Sequence, residues 1–207
     1  MEILIAIISF LSLIAAITIH EFSHALVADK LGDPTPRSMG RLSLNPLAHA
    51  DPIGTILLPL ISALTGLPTI GWAKPVVIDP FNLKNPKRDE ILISLAGPAS
   101  NLSLALIISL IANIFHIQSI FVYLLVIINI SLFVFNLIPV PPLDGSRLLL
   151  NLLSSESSAQ WEEALNRYGF ILLIVLVFLP LVNGQSLISA IMVPIVNFIF
   201  KLFLPGY

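Results

Sequence analysis

The chain has 207 residues, 57% of them hydrophobic and 11% charged, with a formal net charge of −2 and no cysteine. Soluble domains are about half apolar and a quarter charged, so this composition excludes an ordinary soluble fold and points to an all-α polytopic membrane protein. The lipid bilayer is the evident partner, and no basic stripe for nucleic acid is present. Without cysteine there are no disulfides or thiolate sites, so any metal must be held by histidine and carboxylate.

At about 20 residues per crossing, the length allows one membrane-embedded domain over residues 1–207 with five or six transmembrane helices. The amino terminus lacks the basic start of a signal peptide, so residues 3–28 read as a retained helix. Further apolar segments run over 91–115, 120–138, 170–182 and 187–204. Asn183 and Gly184 suit a turn that makes 168–204 a C-terminal helical hairpin, following a catalytic core of about 1–153. The apolar piece 53–70 is interrupted by Gly54, Pro59, Gly66 and Pro68, which suits a re-entrant or broken helix lining a cavity.

Two polar stretches, 29–51 and 71–90, carry RLSLN (41–45) and AKPVVID (73–79), which read as short strands at the membrane border. The segment 151–167 is the most water-compatible, and Ser157 with Gln160 suits the cap of a short helix. If 53–70 does not cross, all ten lysines and arginines fall on one side, which the positive-inside rule makes cytoplasmic. That topology puts the N-terminus outside and the C-terminus in the cytoplasm.

The chemistry concentrates in HEFSH. In a helix His20 and His24 stack on one face, so both imidazoles can address one Zn2+ ion while Glu21 beside them serves as general base. Three ionisable residues within five positions of an apolar helix default to a functional reading. At 1.5 Å per residue His20 lies roughly 25 Å along the helix from Ile3, just inside a hydrocarbon core about 30 Å thick and near the cytoplasmic boundary. Catalytic zinc takes a third protein ligand. Asp144, on irregular backbone after Pro139-Val-Pro-Pro-Leu, falls on the same side as His20 in this topology, although it would also serve as an N-cap for a helix opening near Ser146.

HEFSH near the end of a membrane helix, AGPASN opening a later one, and FNLIPVPPLDG resemble the site-2 protease family over the first 150 residues, in its minimal prokaryotic form without PDZ or CBS domain. The resemblance implies Asp144 as third zinc ligand beside His20, Glu21 and His24. It also implies cleavage of a membrane-protein substrate helix inside the bilayer by a zinc metalloendopeptidase. Asn136 suits an oxyanion donor or a buried amide bonding a neighbouring helix. Asn101 suits a structural or substrate-contacting role, with Gly97 allowing close helix approach, and His49 a supporting or merely interfacial one. An edge strand at AKPVVID or RLSLN would hold an unwound substrate by β-augmentation. The competing readings are an ion transporter and a zinc-binding scaffold without proteolytic activity.

Overall fold

The computed structural model of the chain describes residues 2–57, 73–180 and 185–206. Helix α1 (Glu2–Leu31) buries Ile8, Ser12, Ala16, His20, His24 and Ala28, the four-residue repeat by which a helix stacks side chains on one face. A single helical turn, α2 (Thr35–Ser38), follows.

Helix α3 (Pro86–Ile114) opens with proline at its first position, and the Asp89 carboxylate accepts the Asn85 backbone N–H at 2.9 Å. Its buried face, Ile93, Gly97, Asn101, Ala105 and Ser109, is mostly small. Small residues let helix backbones approach where lipid removes the hydrophobic drive between helices. Ala28, near the end of α1, clusters with Leu83 and Ile93 at the start of α3, so the two run antiparallel.

Helix α4 (Ile120–Asn136) is capped by Ser119, whose hydroxyl accepts the Val122 N–H. After a proline-rich turn come α5 (Asp144–Leu152), α6 (Ser155–Phe178) and α7 (Leu187–Phe203). In α6 a polar first half precedes an apolar second half, and Gly169 sits against the Pro141 ring.

Of the expected five or six spanning helices, two among the described residues are long and apolar enough to cross, within α1 and α3, and the 17-residue apolar helices α4 and α7 lie beside them. The expected border strands form no sheet among the described residues, where an isolated antiparallel bridge between Pro180 and Ser186 is the one β pairing. RLSLN bends, and its Asn45 side chain accepts the Leu47 N–H to start a short turn. AKPVVID has no regular secondary structure; Pro75 has no donor, and the N–H groups of Lys74 and Val76 go to His49 and Glu21. The re-entrant reading of 53–70 falls mostly outside the described residues, which show one π-helical turn, Pro52–Leu57. The cap expected at Ser157 is instead Ser154, whose hydroxyl accepts the Ser157 N–H.

The C-terminal topology also departs from expectation. The Asn183-Gly184 turn is outside the described residues, although the Pro180–Ser186 bridge gives the reversal such a turn requires. Helix α7 then runs antiparallel to α4: Val196, Phe200 and Leu204 pack with Val126, Ile130 and Ala112, and the Phe200 ring meets Tyr123 edge-on at 5.1 Å. Asn113 Nδ2, at the end of α3, donates to the Phe203 carbonyl at 2.8 Å. The end of α7 therefore lies with the 115–119 loop, opposite the end of α1. The cause is an apolar stripe at four-residue spacing on α7 matching one on α4, which outweighs the side preference of the single charge Lys201.

Candidate metal centre

The packed face of α1 is the face that carries both histidines. His20 Nε2 and His24 Nε2 are 3.0 Å apart, and Asp144 Oδ2 lies 3.1 Å from the first and 3.2 Å from the second. A tetrahedral zinc with bonds of about 2.0–2.1 Å spaces its ligand atoms roughly 3.3 Å apart, so this near-equilateral triangle has the size the ion requires. It is the group of potential metal-holding side chains found among the described residues.

The second nitrogen of each ring is spoken for. His24 Nδ1 is 2.6 Å from the Ile93 carbonyl, which can only accept, so Nδ1 carries the proton. Pro98 in the same helix provides no N–H for the carbonyl four residues back, and the Ile93 carbonyl that serves His24 is next to that position. His20 Nδ1 is 2.7 Å from Asn101 Oδ1. In the neutral rings both Nε2 atoms are therefore lone pairs aimed with a carboxylate oxygen at one point, a donor set that fits a divalent cation.

Asp144 arrives from 124 residues away. It is the first residue of α5 rather than its cap, a position held by Leu143. The turn that returns it is tight: a Cβ on Gly145 would overlap the carbonyls of Leu137 and Ile138, so only glycine fits. Gly97 is equally constrained, since its Cβ would overlap both imidazoles. The expected close helix approach at Gly97 is thus an approach to the two rings.

Glu21 stands beside the triangle on the half-buried flank of α1, where Oε2 accepts the Val76 backbone N–H at 3.2 Å. That donor, in the non-helical stretch 73–79, has no side-chain motif and is invisible in the sequence. The stretch is held at both ends: Lys74 N donates to the His49 carbonyl at 2.9 Å and Asp79 N to Asp33 Oδ2 at 2.8 Å.

Of the other expected site residues, only Asn101 joins the triangle, through His20. Asn136 Nδ2 donates to the Leu132 carbonyl of its own helix at 3.0 Å, not to a neighbouring helix. His49 is buried rather than interfacial; its Nε2–H donates to the Ser43 carbonyl at 2.8 Å, and its Nδ1 has no partner. His116 is exposed just past the end of α3 with φ +52°. Asn129 escapes a motif-based reading because it lies outside HEFSH, AGPASN and FNLIPVPPLDG; a lone amide in an apolar helix is the one signal the sequence offers for it.

Comparison with known proteins gives a consistent result. The profile of peptidase family M50 matches residues 114–176. The chain is 38% identical over 183 residues to YwhC of Bacillus subtilis, a proposed zinc metalloprotease by name, covering 83% of this chain and 80% of that protein. It is 33% identical over 174 residues to Rip2 of Mycolicibacterium smegmatis, likewise named as a proposed zinc metalloprotease, covering 81% of this chain and 65% of that one. A zinc metalloprotease of Methanocaldococcus jannaschii is 29% identical over 150 residues, 71% of this chain and 34% of its own length. No solved structure matches the chain at comparable significance.

Proposed function

The chain belongs to peptidase family M50, the site-2 proteases, and on that basis we propose that His20, His24 and Asp144 hold its zinc and that Glu21 is its general base. It is an intramembrane zinc metalloprotease. The observation that carries the residue assignment is the triangle of 3.0 to 3.2 Å among Asp144 Oδ2 and two imidazole Nε2 atoms whose Nδ1 partners are already occupied.

Zinc, when bound, polarises water and the scissile carbonyl. Glu21 takes the proton from water and returns it to the leaving nitrogen, a role that needs a carboxylate beside the ligands and not among them. The Val76 N–H orients that carboxylate while leaving its second oxygen for water. His20 and His24 are held by Asn101 and Ile93, so no ring rotation is needed on the way to the transition state.

The substrate is a transmembrane segment of another membrane protein, unwound locally to expose its peptide bond. The non-helical stretch beside Glu21, whose Val77 is exposed and whose Val76 N–H meets the carboxylate, supports an edge at which such a segment is held. Proline or charge at Val77 that left cleavage of a model substrate unchanged would remove this role. The basic residues other than Lys201 lie at the end of the bundle that carries the site, which supports a multi-pass cell-membrane protein with its centre near the cytoplasmic face and both α1's start and α7's end outside.

The deciding experiment is zinc content together with peptidase activity in the purified chain and its Glu21→Gln variant. One zinc per chain in both, with cleavage lost only in the variant, is expected. Cleavage retained by Glu21→Gln would remove Glu21 as base, and absence of zinc from the wild type would remove the metal site.

A further inference from the structure

Asn129 sits in the middle of the apolar helix α4, has no exposed surface, and belongs to no motif that names the site. A buried amide in such a helix has to be paired, and the pairing here runs in one direction. Asn129 Nδ2 donates to the Leu125 carbonyl at 2.8 Å, which turns Oδ1 outward to accept from Asn101 Nδ2 at 2.9 Å. Asn101 Nδ2 also donates to the Ala16 carbonyl at 3.1 Å, so Asn101 Oδ1 must face His20 Nδ1, 2.7 Å away. Both amide orientations follow from carbonyls that cannot donate.

We infer that Asn129 is a positioning residue for the metal centre: by accepting from Asn101 it keeps the proton on His20 Nδ1 and the Nε2 lone pair toward His24 and Asp144. Without that acceptor, the Ala16 carbonyl at 3.1 Å is the one remaining hold on the Asn101 NH2, and the amide turns over more readily to offer it to His20 Nδ1. The ring proton then moves to Nε2, and a protonated Nε2 is no ligand. Groups that orient a ligating imidazole through its second nitrogen have this effect in metal sites generally. Helix α4 thereby serves the centre twice, holding His20 through two amides and leading through residues 137–143 to Asp144. The inference rests on the reading of His20 as a ligand.

The test is the zinc dissociation constant, by chelator competition on the detergent-solubilised full chain, for wild type, Asn129→Leu, Asn129→Asp and His20→Ala. Asn129→Leu keeps the side-chain size, removes the acceptor, and is expected to weaken zinc binding about 10- to 100-fold. In Asn129→Asp the introduced carboxyl, which burial keeps protonated, can give its O–H to the Leu125 carbonyl and accept from Asn101, so affinity close to wild type is expected. Should the leucine variant not fold, judged by melting of the metal-free protein, Asn129→Ser replaces it; serine bonds its own helix but falls short of Asn101, and the same loss is expected. Wild-type affinity in the leucine or serine variant, or an equal loss in the aspartate variant, overturns the inference. Full affinity in His20→Ala overturns the ligand reading, and the inference with it.

Discussion

Gly97 of α3 packs so closely on His24 of α1 that even a methyl group at position 97 would overlap the Nε2 of that ring, and of His20 beside it. Alanine inside a helix ordinarily gains about 1 kcal/mol over glycine. Overpacking costs about 1–3 kcal/mol, so Gly97→Ala should leave the metal-free protein no more stable than wild type while displacing both imidazoles. Zinc affinity is expected to fall by at least the roughly 10- to 100-fold seen when ligand orientation is lost. Melting of the stripped protein and zinc titration separate the two effects, and undiminished affinity would mean that the helices spread freely at this point.

Asp144 shares one oxygen between the two rings. Asp144→Ala removes one of three proposed ligands, and the loss of zinc affinity should exceed the roughly 10- to 100-fold expected for a merely orienting residue. Equilibrium dialysis against zinc checks it, and full affinity would take Asp144 out of the ligand set.

Asp33 ties the end of α1 to the stretch that carries Val76. Its fully buried carboxylate accepts from Thr35 N at 3.0 Å, Asp79 N at 2.8 Å and Asn82 Nδ2 at 3.0 Å. Burial acts to raise its pKa, but these donors outweigh it and the pKa is lowered. A lowered folded-state pKa means that the contribution to stability is fully present above the unfolded value of about 3.9 and is lost as pH falls through the lower folded value. Protection of the amides in residues 76–83, measured against their intrinsic exchange at each pH, should accordingly fall in the wild type only below about pH 4. In Asp33→Asn the protection should already be low at neutral pH, by an opening cost reduced about 1–3 kcal/mol, and insensitive to this acid range. Identical exchange profiles in the two proteins would show that Asp33 does not hold the stretch.

A chain without cysteine accepts reporter thiols cleanly. Because Phe203 meets Asn113, Gly206→Cys and Gln118→Cys should react with an impermeant reagent from the same side of the membrane, and Leu44→Cys from the other. Labelling of positions 206 and 44 from one side would restore the crossing hairpin.

Composition is enough to assign the membrane class, and helix periodicity is enough to bring His20, Glu21 and His24 together, because positions i and i+4 share a face wherever the helix lies. Asp144 is legible as a candidate for a similar reason, since a carboxylate on proline-broken backbone at a membrane border has few other uses. The stretches 41–45 and 73–79 look like strands because local alternation does not say whether a partner strand exists; in the fold Val76 meets Glu21, and Asp79 meets Asp33. The direction of α7 is equally hidden, because one lysine carries less weight than the apolar stripe that α4 offers. Three relationships come from packing alone: Asp144 reaches the histidines across 124 residues, Gly97 clears the space for them, and Asn129 reaches His20 through Asn101. Such contacts depend on how α1, α3 and α4 pack side by side, and no local period in the chain encodes the distance between helices.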